Sequence, residues 1–230
     1  MPITEGSASH ISTIQTGNLR ELVRRALEAA LVAGELQPGE IYSAPALAER
    51  FGVSATPVRE AMLDLVKDGF VEVVRNKGFR VVAMSELDLD RISDIRLMLE
   101  VPSTVRAAAL LTPEVTASLA RLADEIELAA SAGDLIGYLD ADRRFHVELI
   151  SVLDNPTLTD LVDRLRRQTR LFGLDALVKS GRLVTSAQEH HTLLATLRSG
   201  DAEATTHLIS AHIEHVRGVW AGREEGRRPA

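Results

Sequence analysis

The sequence predicts a mainly α-helical protein in two parts, and three observations predict it. Residues 18–68 carry apolar positions at helical spacing in three segments broken by Gly and Pro. The next stretch, "GFVEVVRNKGFRVVAM", changes period: Val71 and Val73, then Phe79 and Val81, alternate around "RNKG" as in a hairpin. From Ser85 onward only helical periodicity appears, in about six segments. Helix, helix, turn, helix, hairpin is the plan of a winged helix-turn-helix. The remainder reads as an antiparallel all-α bundle.

Each element has a local reason. Residues 1–17 are rich in Ser, Thr and Gly without a sustained period and read as a flexible arm. In "NLRELVRRALEAALVAGEL", Leu19, Leu22, Val23, Ala26, Leu27, Ala30 and Leu31 form one stripe, capped by Asn18 and stopped near Gly34. "QPGEIYS" reads as a turn, and "APALAERFG" as a short helix ended by Gly52 in a left-handed conformation. Ser54 caps a helix over 55–68, with Pro57 tolerated in its first turn. The link at 83–86 divides a winged unit (18–84) from a helical unit (85–222), and 223–230 reads as a flexible tail. The bundle helices are expected at 86–111, 114–132, 134–153, 157–178, 184–199 and 201–222, the first kinked by Pro102.

Composition narrows the functional classes. With no cysteine among 230 residues, disulfides and thiolate metal ligands are excluded, which agrees with a reducing, cytoplasmic setting. No run of about 18 apolar residues predicts a membrane span, and the N-terminus lacks a signal-peptide layout. Aromatic content of 3% argues against stacking of nucleobases on aromatic platforms. The net charge of −7 is uneven: residues 1–84 carry 9 Lys/Arg and 10 Asp/Glu, so the first third is almost neutral beside an acidic remainder.

The second and third helices of the winged unit carry the chemistry of DNA reading. Leu47, Phe51, Val53, Val58, Met62 and Leu65 are expected to pack inward. Ser54, Ala55, Thr56 and Arg59 then project from the start of the second of these helices, the end that reaches base edges in a major groove. Arg59 suits a bidentate contact to guanine, and Ser54 and Thr56 suit phosphate oxygens. Lys77, Gly78 and Arg80 place the hairpin against the DNA backbone or minor groove. The alternative is a small packing module with Arg59 and Glu60 as ordinary surface charges. The string "GVSATPVREAM…DG…V…GFRV" resembles the N-terminal signature of the GntR superfamily of bacterial transcription regulators over residues 19–82. That family usually has arginine directly after the "GVS" serine. Ala55 stands there, which halves its two-arginine readout and leaves Arg59 as the matching base-reading residue.

The second constellation lies in the bundle. In "DADRRFHVELI", Tyr138, Leu139, Asp142, His146, Leu149, Ile150 and Leu153 share a helical face, so an apolar face carries an acid and an imidazole four residues apart. His190 shares a face with Leu193, Leu194 and Leu197, and His212 with Leu208, Ile209, Val216 and Val219. Burying four such groups without partners is costly. One divalent transition ion per chain (Zn, Ni, Mn, Fe or Co) would satisfy them. A purely structural polar core is the competing reading. His191, His207 and His215 read as ordinary polar positions. These segments, with "NPTL", "EHHTLLATLRSGDAEAT" and "AHIEHVR", resemble the C-terminal effector domain of the FadR-like branch, and six helices place it near the VanR-like subgroup. The resemblance implies that Asp142, His146, His190 and His212 hold one metal ion. Arg96, in "DIRLMLE", is expected to help neutralise the effector unless it is a surface arginine.

These readings converge on a homodimeric, ligand-responsive transcription regulator. It would bind near-palindromic double-stranded operator DNA, sense a small organic acid at the ion, and act as a repressor as many relatives do. The rival is a metal-dependent enzyme in a helical bundle, against which no further inward acid or base stands ready for proton transfer.

Overall fold

Helix α1 (Thr16–Val32) starts two residues ahead of the expected Asn18 cap, a shift within the usual fraying of a first turn. This computed structural model describes residues 16–170 and 181–220. Residues 1–15 of the expected arm, the expected helical segment 171–178 and the tail at 223–230 lie outside the described residues. Helix α2 (Ala44–Phe51) is capped by Ser43, whose side chain accepts from the Ala46 N–H, and ends at Gly52 with φ +66°. Helix α3 (Ala55–Lys67) follows at once, with Ser54 at its N-cap. Leu27 of α1, Leu47 of α2, and Val58, Met62 and Leu65 of α3 form a buried apolar cluster, with Phe51 and Val53 packed at its edge.

The sheet has one strand more than the sequence predicts. Strands β2 (Val71–Val74) and β3 (Gly78–Val81) form the expected antiparallel hairpin, pairing Val73 with Phe79 and Val71 with Val81. "QPGEIYS" is not only a turn, however: Ile41–Tyr42 form β1, antiparallel to β3, and the order is β1-β3-β2. Two residues are too few to show an alternation. Phe79, Val81 and Val71 are buried, whereas Val73 extends past the core and is 59% exposed.

The helical part has the expected six helices among the described residues: α4 (Glu86–Ala108), α5 (Pro113–Ala132), α6 (Leu135–Ser151), α7 (Pro156–Arg170), α8 (Leu183–Ser199) and α9 (Ala202–Trp220). Their starts are written in polar side chains. Ser85 and Asp88 form a reciprocal capping box, Thr112 accepts from Val115, Asp134 from Gly137, and Asn155 from Leu158. Helix α4 continues past Pro102 and ends at Ala108, short of the expected residue 111. Helix α5 packs on α6 and α8, α9 lies along α4, and α7 sits against both α4 and α6. A second apolar cluster fills this bundle, with Leu119, Ile126, Phe145, Leu149, Leu193, Leu197 and Ile213 among its buried members. Among the described residues no helix is long and apolar enough to cross a membrane.

Candidate metal centre and nucleic-acid interface

Asp142, His146, His190 and His212 are all buried, and one ligand atom from each lies within 4.8 Å of the others. Helix α6 supplies the first two, one turn apart, while α8 and α9 supply one histidine each. His190 Nε2 stands 3.2 Å from His146 Nε2 and 3.1 Å from Asp142 Oδ1. The His146 and His212 rings stack, with centroids 5.2 Å apart. Phe145 closes one side, edge-on to His146 and His190. His191, next to His190, turns outward toward Glu127 at 3.2 Å, and His207 is exposed. The side chains of His215, Val216 and Val219 lie outside what the structure describes.

The hydrogen bonds behind the ring atoms decide what the centre can hold. His190 Nδ1 lies 3.0 Å from the Ala187 carbonyl, which can only accept, so Nδ1 carries the proton. His212 Nδ1 lies 2.7 Å from Glu189 Oε2 and donates to that carboxylate. In the neutral rings both Nε2 atoms are therefore lone pairs, and His212 Nε2 is buried with no hydrogen-bond partner. Burial, the largest influence, holds His146 well below its ordinary pKa and pushes His212 down to about 4, so both are neutral near pH 7. Imidazole lone pairs and a carboxylate thus face one another across about 3 Å, an arrangement that a cation relieves. Nitrogen and oxygen donors without sulfur suit Zn, Ni, Co, Fe or Mn.

A charged cluster adjoins these ligands. Arg96 is buried, not a surface arginine, and its Nε donates to Glu100 Oε1 at 2.7 Å. Glu100 also pairs with Arg166, whose Nη1 lies 3.5 Å from Asp142 Oδ2. Burial pushes the Glu100 carboxyl up, but Arg166 and then Arg96 outweigh it, and the net shift is downward. Sequence reading missed Glu100, Arg166 and Glu189. Arg166 had a visible signal: it follows Val162 and Leu165 on the apolar face of α7, as Asp142 does on α6.

In the winged unit, Ser54, Thr56 and Arg59 are exposed at the start of α3. Ser54 makes no side-chain capping bond, which leaves its hydroxyl for another acceptor. Lys77 is exposed in the wing turn, beside Arg75, which the sequence reading passed over, and Asn76 takes the left-handed φ of +62° there. Arg80 is held across the hairpin by Glu72 at 2.7 Å. Gly78 has a structural reason: at φ +135° its Cβ would lie 2.3 Å from the Tyr42 carbonyl oxygen. The glycine lets β1 close on the wing.

Comparison with known proteins agrees with both halves. Residues 19–81 match the bacterial regulatory proteins of the gntR family, and residues 91–215 match the FCD domain. The chain is a GntR-family regulator with an FCD domain. It is 31% identical over 213 residues to the HTH-type transcriptional regulator McbR of Escherichia coli (strain K12), covering 91% of this chain and 93% of McbR. It is 23% identical to the HTH-type transcriptional repressor RspR of the same organism, covering 87% and 88% of the two chains. The solved structure of E. coli McbR/YncC superposes with a TM-score of 0.70 at 28% identity, over 89% of this chain and 97% of that one. The residues expected to contact DNA fall within the GntR match, and the four clustered Asp and His residues fall within the FCD match. This regulator is therefore a DNA-binding transcription factor whose sensing domain is the helical bundle.

Proposed function

We propose that the regulator is a repressor whose FCD domain, residues 85–222, holds one divalent transition ion and senses a small organic acid beside it. The ion would be bound by Asp142 and the Nε2 atoms of His146, His190 and His212. The observation that carries this reading is the fixed protonation of His190 and His212 at Nδ1, which leaves two buried Nε2 lone pairs beside Asp142 and His146. The acid follows from charge. Arg96 and Arg166 balance Glu100 and Asp142 in the buried cluster, so a divalent cation adds positive charge that burial penalises. An anionic carboxylate offsets it, completing the ion's shell within reach of the Arg96 and Arg166 network.

In the winged unit, residues 18–84, Arg59 would read a base edge, Ser54 and Thr56 would bind phosphate, and Lys77 with the Gly78 and Arg80 strand would hold the backbone or minor groove. Two copies would bind a two-fold operator. RspR, named a repressor, supports the sign of regulation. The protein would work in the cytosol as a regulator rather than an enzyme, as the relatives named above are regulators.

The test is elemental analysis of the purified protein after dialysis. About one equivalent of a transition ion per chain is expected, and His190→Ala is expected to lose it while keeping its helical circular dichroism. A metal-free wild type that takes up none of these ions on titration would overturn the reading.

A further inference from the structure

We propose that a chain of ion pairs, Arg143–Asp163–Arg167–Asp68, carries the state of the metal centre to the recognition helix α3. This rests on the metal reading above and assigns its route of regulation.

Two helices of the bundle each place consecutive residues at the two ends of this route. On α6, Asp142 is buried in the centre and the next residue, Arg143, reaches out to Asp163 Oδ1 at 3.0 Å. On α7, Arg166 is buried 3.5 Å from Asp142 and the next residue, Arg167, pairs with both Asp163 and Asp68. Asp68 is the C-cap of α3, where its N–H bonds back to the Asp64 carbonyl at 3.0 Å. The Gln168 side chain of α7 also lies against the chain just after α3: a Cβ on Gly69 would lie 2.7 Å from Gln168 Nε2. Movement of α7 at the centre therefore moves Arg167, which grips the end of α3, and movement of α6 reaches it through Arg143 and Asp163.

Arg167 is suited to switching because it has two partners. It holds Asp163 within its own helix and Asp68 in the winged unit at 3.4 Å, with 33% of its side chain exposed. A small rotation of α7 would carry Arg167 off Asp68 while its bond to Asp163 turns with the helix, a made-or-broken contact of the kind that coupling needs. Asp68 depends on that contact. Burial raises its carboxyl above the ordinary range, and Arg167 is the largest opposing influence. The surroundings permit movement, since a cleft of about 540 Å³ opens between α1, the end of α3 and the start of α6, lined by Arg24, Asp68, Asp140, Arg143 and Arg167.

The experiment adds Zn²⁺ to the chelator-dialysed full chain, following binding by calorimetry and amide exchange by mass spectrometry. In the wild type, exchange over residues 64–70 is expected to change about fivefold or more, the lower edge of ordinary allosteric coupling. Arg167→Ala should bind Zn²⁺ with undiminished affinity and keep the exchange changes in α6 and α8, yet lose the change over 64–70. Asp68→Asn should lose it too, and Arg167→Lys should retain part of it. Transmission that persists in both Arg167→Ala and Asp68→Asn overturns the route. So does a wild type that binds Zn²⁺ with no effect at 64–70, an outcome that leaves the metal centre standing. A wild type with no calorimetric binding of Zn²⁺ removes the centre itself, and the route falls with it.

Discussion

Glu189 is not one of the four clustered residues, yet it fixes which nitrogen of His212 faces the other three. Its carboxylate accepts from Nδ1 at 2.7 Å and raises the basicity of the ring behind Nε2. Removing it frees the tautomer and the ring orientation together. Glu189→Ala is expected to weaken Zn²⁺ binding by about 10–100-fold, the usual loss when a partner behind a ligating histidine is removed. Competition calorimetry with a chelator measures it, and an unchanged affinity would mean that His212 is held by packing alone. The Ala187 carbonyl does the same work for His190 but belongs to the backbone, so no substitution removes it.

At the scale of elements, the wing depends on one glycine. Gly78 combines φ +135° with a backbone oxygen 2.3 Å from where a Cβ would stand, and that oxygen belongs to Tyr42 in β1. Gly78→Ala is expected to cost roughly 1–3 kcal/mol for the strained backbone alone and to detach β1 from β3. Urea denaturation gives the stability loss, and reduced DNA affinity should accompany it. This strand also shows where sequence reading stops. The helices were legible because their apolar faces repeat over many turns and their starts carry Ser, Thr, Asp or Asn. Asp142, His146, His190 and His212 were legible for the same reason, as polar residues on faces otherwise filled with Leu and Ile. β1 was not, because two residues have no period. Glu100 was not legible either, although it stands one turn from Arg96 on α4 and pairs with it. Only Arg166, 66 residues further on, turns that pair into a buried network, and a partner so distant leaves no mark on local periodicity.

At the scale of the whole molecule, charge dictates how the regulator approaches DNA. A net charge of −7 repels a polyanion, and most of it lies beyond residue 84. The winged unit must lead, with its free cations forward. Arg59, Arg75 and Lys77 are exposed and make no ion pair with a described residue, whereas Arg80 is already committed to Glu72. Phosphate contacts release counterions, so affinity should fall linearly in log salt between roughly 50 and 200 mM, with a slope of about −0.9 per neutralised phosphate. Lys77→Ala should flatten that slope by about two in a dimer, one for each wing, and weaken all sequences alike. Arg59→Ala should behave differently, losing about 1–3 kcal/mol of preference for a selected operator over a scrambled duplex at each half-site. Fluorescence anisotropy titrations of both variants across a salt series separate the two effects. An unchanged slope in Lys77→Ala would place the wing away from the duplex, and an unchanged preference in Arg59→Ala would move base reading to another residue of α3.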